Sequence, residues 1–366
     1  MAAPVRKLRV AMIGQGFMGR AHSNAFSQVG KFFDLAIQPE CAVLCGRNRA
    51  QLDKMAQTWG WQETSTDWRT LIERKDIDVI DIAVPNAMHA AIAIAAGEAG
   101  KIVLCEKPLA MSGKEAGLMA RAVSGRPNMV WFNYRRIPAL AFAKQLIEEG
   151  RLGKIFHYRA SYLQQWGNDP SRSEAWRFDP DQAGSGASAD LLSHVLDTAQ
   201  WLNGPIDEVS ALQQTFMPGR TVDDASLVLV KFRNRSIGTL EATRFAIGYH
   251  NRQTMEIHGE KGMLRFDVEN FNNLEFLDAT EPAHMQGIRN MQVTASGQPY
   301  FGNFWPPGHA LGYEHTFIAA LADFLNALSS GGGFHPDFED GHRVQLALDA
   351  IAESATARGW KAVRSI

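Results

Sequence analysis

LRVAMIGQGFMG, residues 8–19, runs an apolar segment into Gly14, and Gly16 and Gly19 then complete the spacing G-x-G-x-x-G. The first glycine permits a tight turn, the second lets backbone approach a phosphate, and the third lets a helix pack close to the strand. FMGRAHSNAFSQV (17–29) follows and is compatible with a helix. A strand, turn and helix of this kind aim free backbone N–H groups at a pyrophosphate, so the stretch reads as the opening of a dinucleotide-binding fold.

Strand-like and helix-like segments alternate from there. CAVLCG (41–46) reads as a buried strand and RAQLDKMAQTWG (49–60) as an amphipathic helix. DVIDIAVP (78–85) and KIVLCEKP (101–108) are apolar runs closed by proline, with a helix predicted over 87–99 between them, and MVWFNY (129–134) is a further strand. Such alternation implies right-handed crossovers and a parallel sheet, in which ligands bind beyond the carboxyl ends of the strands. At the end of the second strand stands Gly46-Arg47-Asn48. An acid that would hold the ribose 2′-hydroxyl of NAD is missing there, and Arg47, with Arg49 behind it, suits a 2′-phosphate. This tilts the cofactor towards NADP and leaves NAD open, with Asn48 as the alternative ribose contact. Lys107, closing another strand, is placed to project beside a nicotinamide; read blandly, it is a surface cation.

A chain of 366 residues exceeds what one core usually serves. We therefore expect two domains, 1–133 binding dinucleotide and 134–366 binding substrate and mediating oligomerisation. With 45% hydrophobic and 21% charged residues it reads as a soluble globular protein. A net charge of -2 without a basic run argues against nucleic acid. The N-terminus has no secretory apolar region and no apolar run approaches membrane-spanning length, so no membrane partner and a cytoplasmic location are expected. Cys41, Cys45 and Cys105 are too few and scattered for a disulfide framework.

In the second part, residues 153–165 alternate as a strand ending in YLQQW, where glutamine beside tryptophan suits a sugar: amides bond hydroxyls and a ring stacks on C–H faces. Trp176-Arg177-Phe178 offers a similar pair. AGSGASADLLSHVLDTAQWLNG (183–204) reads as a loop entering a helix that stops at Asn203-Gly204. Asp190 and His194 then share one helical face, with Asp197 near it. Histidine suits proton abstraction near neutral pH and a carboxylate can orient it, although the spacing alone more often marks a helix-surface pair. Residues 206–276 are strand-rich and predict an open antiparallel or mixed sheet, 278–312 reads as a long aromatic loop, and two helices follow over 314–329 and 339–358. His315, His335 and His342 are too irregularly spaced for a metal cage, and no metal is called for.

Gly14-x-Gly16-x-x-Gly19 with Ala21-His22, Pro85-Asn86 with His89, and Glu106-Lys107-Pro108 resemble the Gfo/Idh/MocA family of oxidoreductases. The resemblance implies an α/β fold, with a Rossmann domain followed by an α/β domain containing a large open, mostly antiparallel sheet. It also implies an NAD(P)-dependent enzyme and homo-oligomers assembled through that sheet. It makes Lys107, Asp190 and His194 catalytic, and adds Arg135, Gln164 and Trp166 to them for substrate. Cofactor contacts fall on Gly14, Gly16, Phe17, Met18 and Gly19, on Arg47, Pro85, Asn86 and His89, and on Glu106, Lys107, Asn133, Trp176 and Arg177. Tyr162-Leu163-Gln164 with Trp166, and Glu241-Ala242-Thr243-Arg244, look most similar to the branch that oxidises C3 of glucose-like rings. The expected activity is therefore hydride transfer between a secondary alcohol of a sugar or glycoside and nicotinamide. Alternatives are an inositol or polyol dehydrogenase, a ketosugar reductase, and an enzyme that recycles a tightly bound NAD; the three intact catalytic candidates argue against a mere dinucleotide sensor.

Overall fold

β1 (Arg6–Ile13) is covered on both faces from Val10 onward, because a strand flanked by parallel neighbours and helices has no wet side. Its partners are β2 (Ile37–Cys45), β3 (Glu63–Ser65), β4 (Val79–Ile82), β5 (Ile102–Cys105) and β6 (Asn128–Val130). All pairs are parallel, in the order β3-β2-β1-β4-β5-β6, which reverses direction between β1 and β4. Crossovers are made by α1 (Phe17–Phe32), α2 (Arg49–Trp59), α3 (Trp68–Glu73), α4 (His89–Glu98) and α5 (Gly113–Ala122). Local chemistry sets the helix ends. Asn48 caps α2 by accepting from the Gln51 N–H, Gly60 ends it at φ +76°, and at the start of α5 Ser112 Oγ accepts the Glu115 N–H while the Glu115 carboxylate accepts the Met111 N–H.

This computed structural model describes residues 6–169, 171 and 175–364, and they fall into two units. The first contains the residues through Asn133 and also Gly312–His342; the second contains Tyr134–Leu311 and the residues from Arg343. The segment 312–342 thus departs from the contiguous division expected at 133/134. α9 (Tyr313–Ser330) packs on α1 and sets Phe317 against His22 and Trp131, at ring-centroid distances of 5.7 and 5.6 Å.

In the second unit, α6 (Pro138–Glu148), the short α7 (Pro180–Ala183), α8 (Ser193–Asn203) and α10 (Phe338–Ala357) from Arg343 onward accompany a nine-stranded sheet. Its strands are β7 (Ile155–Leu163), β8 (Ile206–Gln214), β9 (Ala225–Phe232), β10 (Ile237–Thr243), β11 (Arg252–Gly259), β12 (Gly262–Asp267), β13 (Asn273–Asp278), β14 (Arg289–Gln292) and β15 (Lys361–Ala362). The order is β14-β13-β12-β11-β7-β10-β9-β8-β15, antiparallel except for β7 against β10. β14 falls inside the segment expected to be a loop. In β9, Val228, Val230 and Phe232 face the core while Leu227 and Leu229 remain about half exposed, the period of two that one covered face demands. Among the described residues, no helix is long and apolar enough to cross a membrane.

The glycine motif separates packing from ligand space. A Cβ on Gly14, held at φ +139°, would overlap the Ala83 carbonyl, and one on Gly19 would overlap the Gly14 carbonyl, whereas one on Gly16 would meet nothing within 4 Å. Gly19→Ala is therefore expected to destabilise the fold in thermal unfolding, while Gly16→Ala keeps the melting temperature and loses dinucleotide affinity by titration.

Candidate active site

In the first unit the candidate residues gather at the strand ends. α1 starts at Gly16, with no acid in its first turn, so its free N–H groups and the open space over Gly16 fit a pyrophosphate. Phe17 is exposed and Met18 half-buried beside them. After β2, Gln15 brackets Asn48, its Oε1 accepting the Asn48 N–H at 3.0 Å and its Nε2 donating to the Asn48 carbonyl at 3.1 Å. Asn48 spends its own side chain on capping α2, Arg49 pairs with Asp53 at 3.1 Å, and Arg47 is exposed. Half of the basic pair expected for a 2′-phosphate is thus engaged elsewhere.

Three residues expected to touch cofactor also bond within the protein. His89, 1% exposed, reaches the carbonyls of Val84 (2.9 Å) and Pro108 (3.0 Å), tying the loop after β4 to the loop after β5. Burial pushes its pKa below the usual value against the pull of those carbonyls. Asn133 is buried and donates to Thr316 Oγ1 at 2.7 Å. Glu106 accepts from His22 and from the Lys107 backbone N–H at 3.0 Å. Pro85 and Asn86 lie in the turn after β4, and Lys107 is half-buried beyond β5.

The second unit holds a separate group of candidates. Asp190 lies in a single π-helical turn, Ser188–Leu192, and His194 in the first turn of α8, so the expected continuous α-helical face is interrupted between them. Such widened turns are frequent at functional sites. Asp223 creates the entry: its carboxylate accepts from the Gly186 N–H (2.7 Å), the Ser188 N–H (2.8 Å) and Ser188 Oγ (2.9 Å), and a Cβ on Gly186 would overlap the Asp223 backbone. The Asp190 carboxylate is held by Arg244 at 3.0 Å and Arg177 at 3.4 Å. Burial lowers the pKa of Arg244 against the opposing pull of Asp190 and Asp223, and a guanidinium stays charged regardless. His194, 7% exposed, stacks on Tyr134 with ring centroids 4.5 Å apart.

A hydrogen-bonded run borders His194. Trp166 Nε1 donates to Gln164 Oε1 (2.5 Å), Gln164 Nε2 to Asn251 Oδ1 (2.6 Å), Tyr162 OH to Asn251 Oδ1 (2.7 Å), and the Tyr134 and Tyr162 hydroxyls meet at 2.9 Å. Because Tyr162 donates to Asn251, it accepts from Tyr134. Trp166 lies 4.7 Å from the Arg244 guanidinium, Phe178 lies between Arg244 and Arg220, and Trp176 stacks with Arg177, so the segment carrying these rings alternates with cations. Sequence reasoning missed Asn251 and Asp223 and left Arg244 without a role, since no local spacing ties them to Gln164, Ser188 or Asp190.

Arg135, expected at the substrate, is 4% exposed and grips Asp197 through Nε (3.0 Å) and Nη2 (2.6 Å). It anchors α8 behind His194. His335 meets Asp340 at 2.8 Å while Asp340 and Asp337 exchange backbone bonds, so this grouping, whose ligand atoms lie within 4.8 Å, closes the start of α10. Arg135→Ala strands a buried carboxylate, and equilibrium urea unfolding is expected to lose about 3–5 kcal/mol. His22, treated below, supplies a pH test: burial alone would lower its pKa, but Asp81 and Glu106 raise it from 6.5 to about 9. The resulting stability is complete below 6.5 and lost as pH climbs to about 9, a decline that His22→Gln should flatten in thermal melts.

A profile described as "Oxidoreductase family, NAD-binding Rossmann fold" matches residues 8–134, and one described as "GFO/IDH/MocA C-terminal domain" matches 140–265. The chain is 40% identical to levoglucosan dehydrogenase of Pseudarthrobacter phenanthrenivorans, covering 99% of this chain and 100% of that protein. A solved structure of levoglucosan dehydrogenase in complex with NADH and levoglucosan matches with a TM-score of 0.96 at 41% identity, over 99% of this chain and 100% of that one. An oxidoreductase domain protein from Kribbella flavida matches at 0.95 and 45%, over 98% and 100%. This chain therefore belongs to the Gfo/Idh/MocA family of oxidoreductases, and its first unit is an NAD-binding Rossmann fold.

Proposed function

We propose that the protein is an NAD-dependent dehydrogenase that oxidises a secondary alcohol, at C3, of a glucose-like ring in an anhydrosugar or glycoside. The run from Trp166 through Gln164, Asn251 and Tyr162 to Tyr134, beside His194 and Asp190, carries this reading: it combines an aromatic face with amides and hydroxyls, which suits a sugar. Full-length similarity to levoglucosan dehydrogenase supports it.

Gly14, Gly16, Phe17, Met18 and Gly19 would hold the pyrophosphate of the dinucleotide, Pro85, Asn86, Trp176 and Arg177 would be its further contacts, and its nicotinamide would supply the hydride acceptor. The protein moves the proton. The His194 imidazole takes it from the reacting hydroxyl, Lys107 Nζ donates to the same oxygen as alkoxide character develops, and Asp190, paired with Arg177 and Arg244, accepts from a neighbouring hydroxyl. NAD is preferred over NADP because Arg49 is paired with Asp53 and Arg47 alone remains; NADH in solved relatives agrees. Leu212, Leu227, Leu229 and Ile237, all about half exposed on one sheet face, suit a second copy of the chain. Free thiols at Cys41, Cys45 and Cys105 suit the cytoplasm.

The test is titration with NAD and NADP over levoglucosan, glucosides and inositols. Turnover of NAD with a pyranoside is expected, and Lys107→Ala should lose roughly 100- to 10,000-fold while still binding NADH. Near-normal rate in Lys107→Ala would remove the mechanism. Turnover of inositols alone would reassign the substrate, and nicotinamide released only on denaturation would indicate internal recycling. For the sheet face, Leu229→Glu should reduce the mass in light scattering to that of one chain; an unchanged mass removes that assignment.

A further inference from the structure

Behind Lys107 lies a chain of buried polar groups that the proposed chemistry does not use. Trp131 Nε1 donates to Asp81 Oδ1 at 2.8 Å, Asp81 Oδ2 meets His22 Nδ1 at 2.8 Å, and His22 Nε2 meets Glu106 Oε1 at 2.9 Å. Glu106 Oε2 then accepts the backbone N–H of Lys107 at 3.0 Å. His22 and Asp81 are fully buried, and Trp131 and Glu106 are 1% and 4% exposed. These groups come from α1, β4, and the ends of β5 and β6, so no single element requires them.

Ionised carboxylates only accept hydrogen bonds, so a ring with a carboxylate at each nitrogen satisfies both by carrying a proton on each. Trp131 stacks on one face of that ring at 4.2 Å and Phe317 lies 5.7 Å away. The nearby Cys105 thiol is held neutral by burial, leaving Asp81 and Glu106 as the charges that face His22. Burying three charges is costly, and apolar residues of equal volume would commonly be as stable. What apolar residues could not do is hold Glu106 with one oxygen turned to the Lys107 peptide.

We propose that His22 is a positioning residue for Lys107, orienting Glu106 between Asp81 and the Lys107 N–H so that the lysine side chain starts from a fixed peptide. The proposal rests on the role given to Lys107 above. His22 touches neither substrate nor cofactor and acts through Glu106. Trp131 acts one step further back, through Asp81.

The experiment compares the full-length wild type, His22→Gln, Trp131→Phe and Lys107→Ala, with NAD and levoglucosan as the probe substrate. Rates are measured with ordinary and C3-deuterated substrate, and NADH affinity by fluorescence. The ring-nitrogen NMR signals of wild-type His22 are recorded at pH 7.5. Loss of alignment is expected to lower kcat of His22→Gln by about 10- to 100-fold with KM and NADH affinity little changed, and to raise the isotope effect on kcat. Trp131→Phe should shift the same quantities less, and both wild-type ring nitrogens should be protonated. A folded His22→Gln with wild-type kcat and isotope effect, beside an inactive Lys107→Ala, overturns the positioning role alone. An active Lys107→Ala overturns the catalytic reading beneath it. If His22→Gln does not fold, Trp131→Phe and the NMR signals decide: a ring nitrogen without a proton, or an unshifted isotope effect in Trp131→Phe, overturns the proposal.

Discussion

Five elements of the first unit meet on one imidazole ring. α1 supplies His22, β4 Asp81, the end of β5 Glu106, the end of β6 Trp131, and α9 Phe317. Each hydrogen bond would be exchangeable for water at the surface; with all partners buried, losing one leaves a charge without compensation. The strand ends, where ligands of such sheets bind, are therefore fixed relative to one another by electrostatics as well as by the backbone ladder. His89 also lies between these strand ends, its ring placed between the carbonyls of Val84 and Pro108.

The second unit solves the same problem with cations and rings. Asp223 sets the entry of the π turn, Arg135 with Asp197 fixes α8 from behind, and Arg244 holds Asp190 while packing against Trp166 and Phe178. Arginine suits this place because its planar fork can bond a carboxylate and stack on an aromatic face together. The helix start bearing Asp190 and His194 is thus held by partners from strands or loops remote in sequence.

What was legible in the sequence follows from range. G-x-G-x-x-G, the apolar strands, the proline stops and Gly204 act within a few residues, and the parallel order follows from their alternation. Asp190 and His194 were visible as a spacing, but the π turn between them depends on Asp223, more than thirty residues on. Arg135 looks like a substrate ligand in sequence because an arginine does not reveal its carboxylate; Asp197, sixty-two residues away, takes it inward. Residues 312–342 display helical periodicity, which says that a helix has an apolar side and not which unit it covers. The missing acid near Arg47 suggested a 2′-phosphate only while Arg49 was unplaced; Asp53, one turn along α2, claims it.

The two units also bury charge in different arrangements. Behind Lys107, two carboxylates flank one imidazolium, a net single negative charge, and the peptide that carries the lysine is bonded to one of those carboxylates. Around Asp190, two guanidiniums meet one carboxylate, and Asp223 faces Arg244 as well, so the cluster carries no net charge. A background of opposite sign stabilises the charged form of a titratable group, and it does so more strongly where water is excluded. The first arrangement therefore favours a cation nearby, and in the second the guanidiniums favour the carboxylates they face. On the proposed chemistry, Gln164 and Asn251 can change with substrate preference while neither charged group loses its partners.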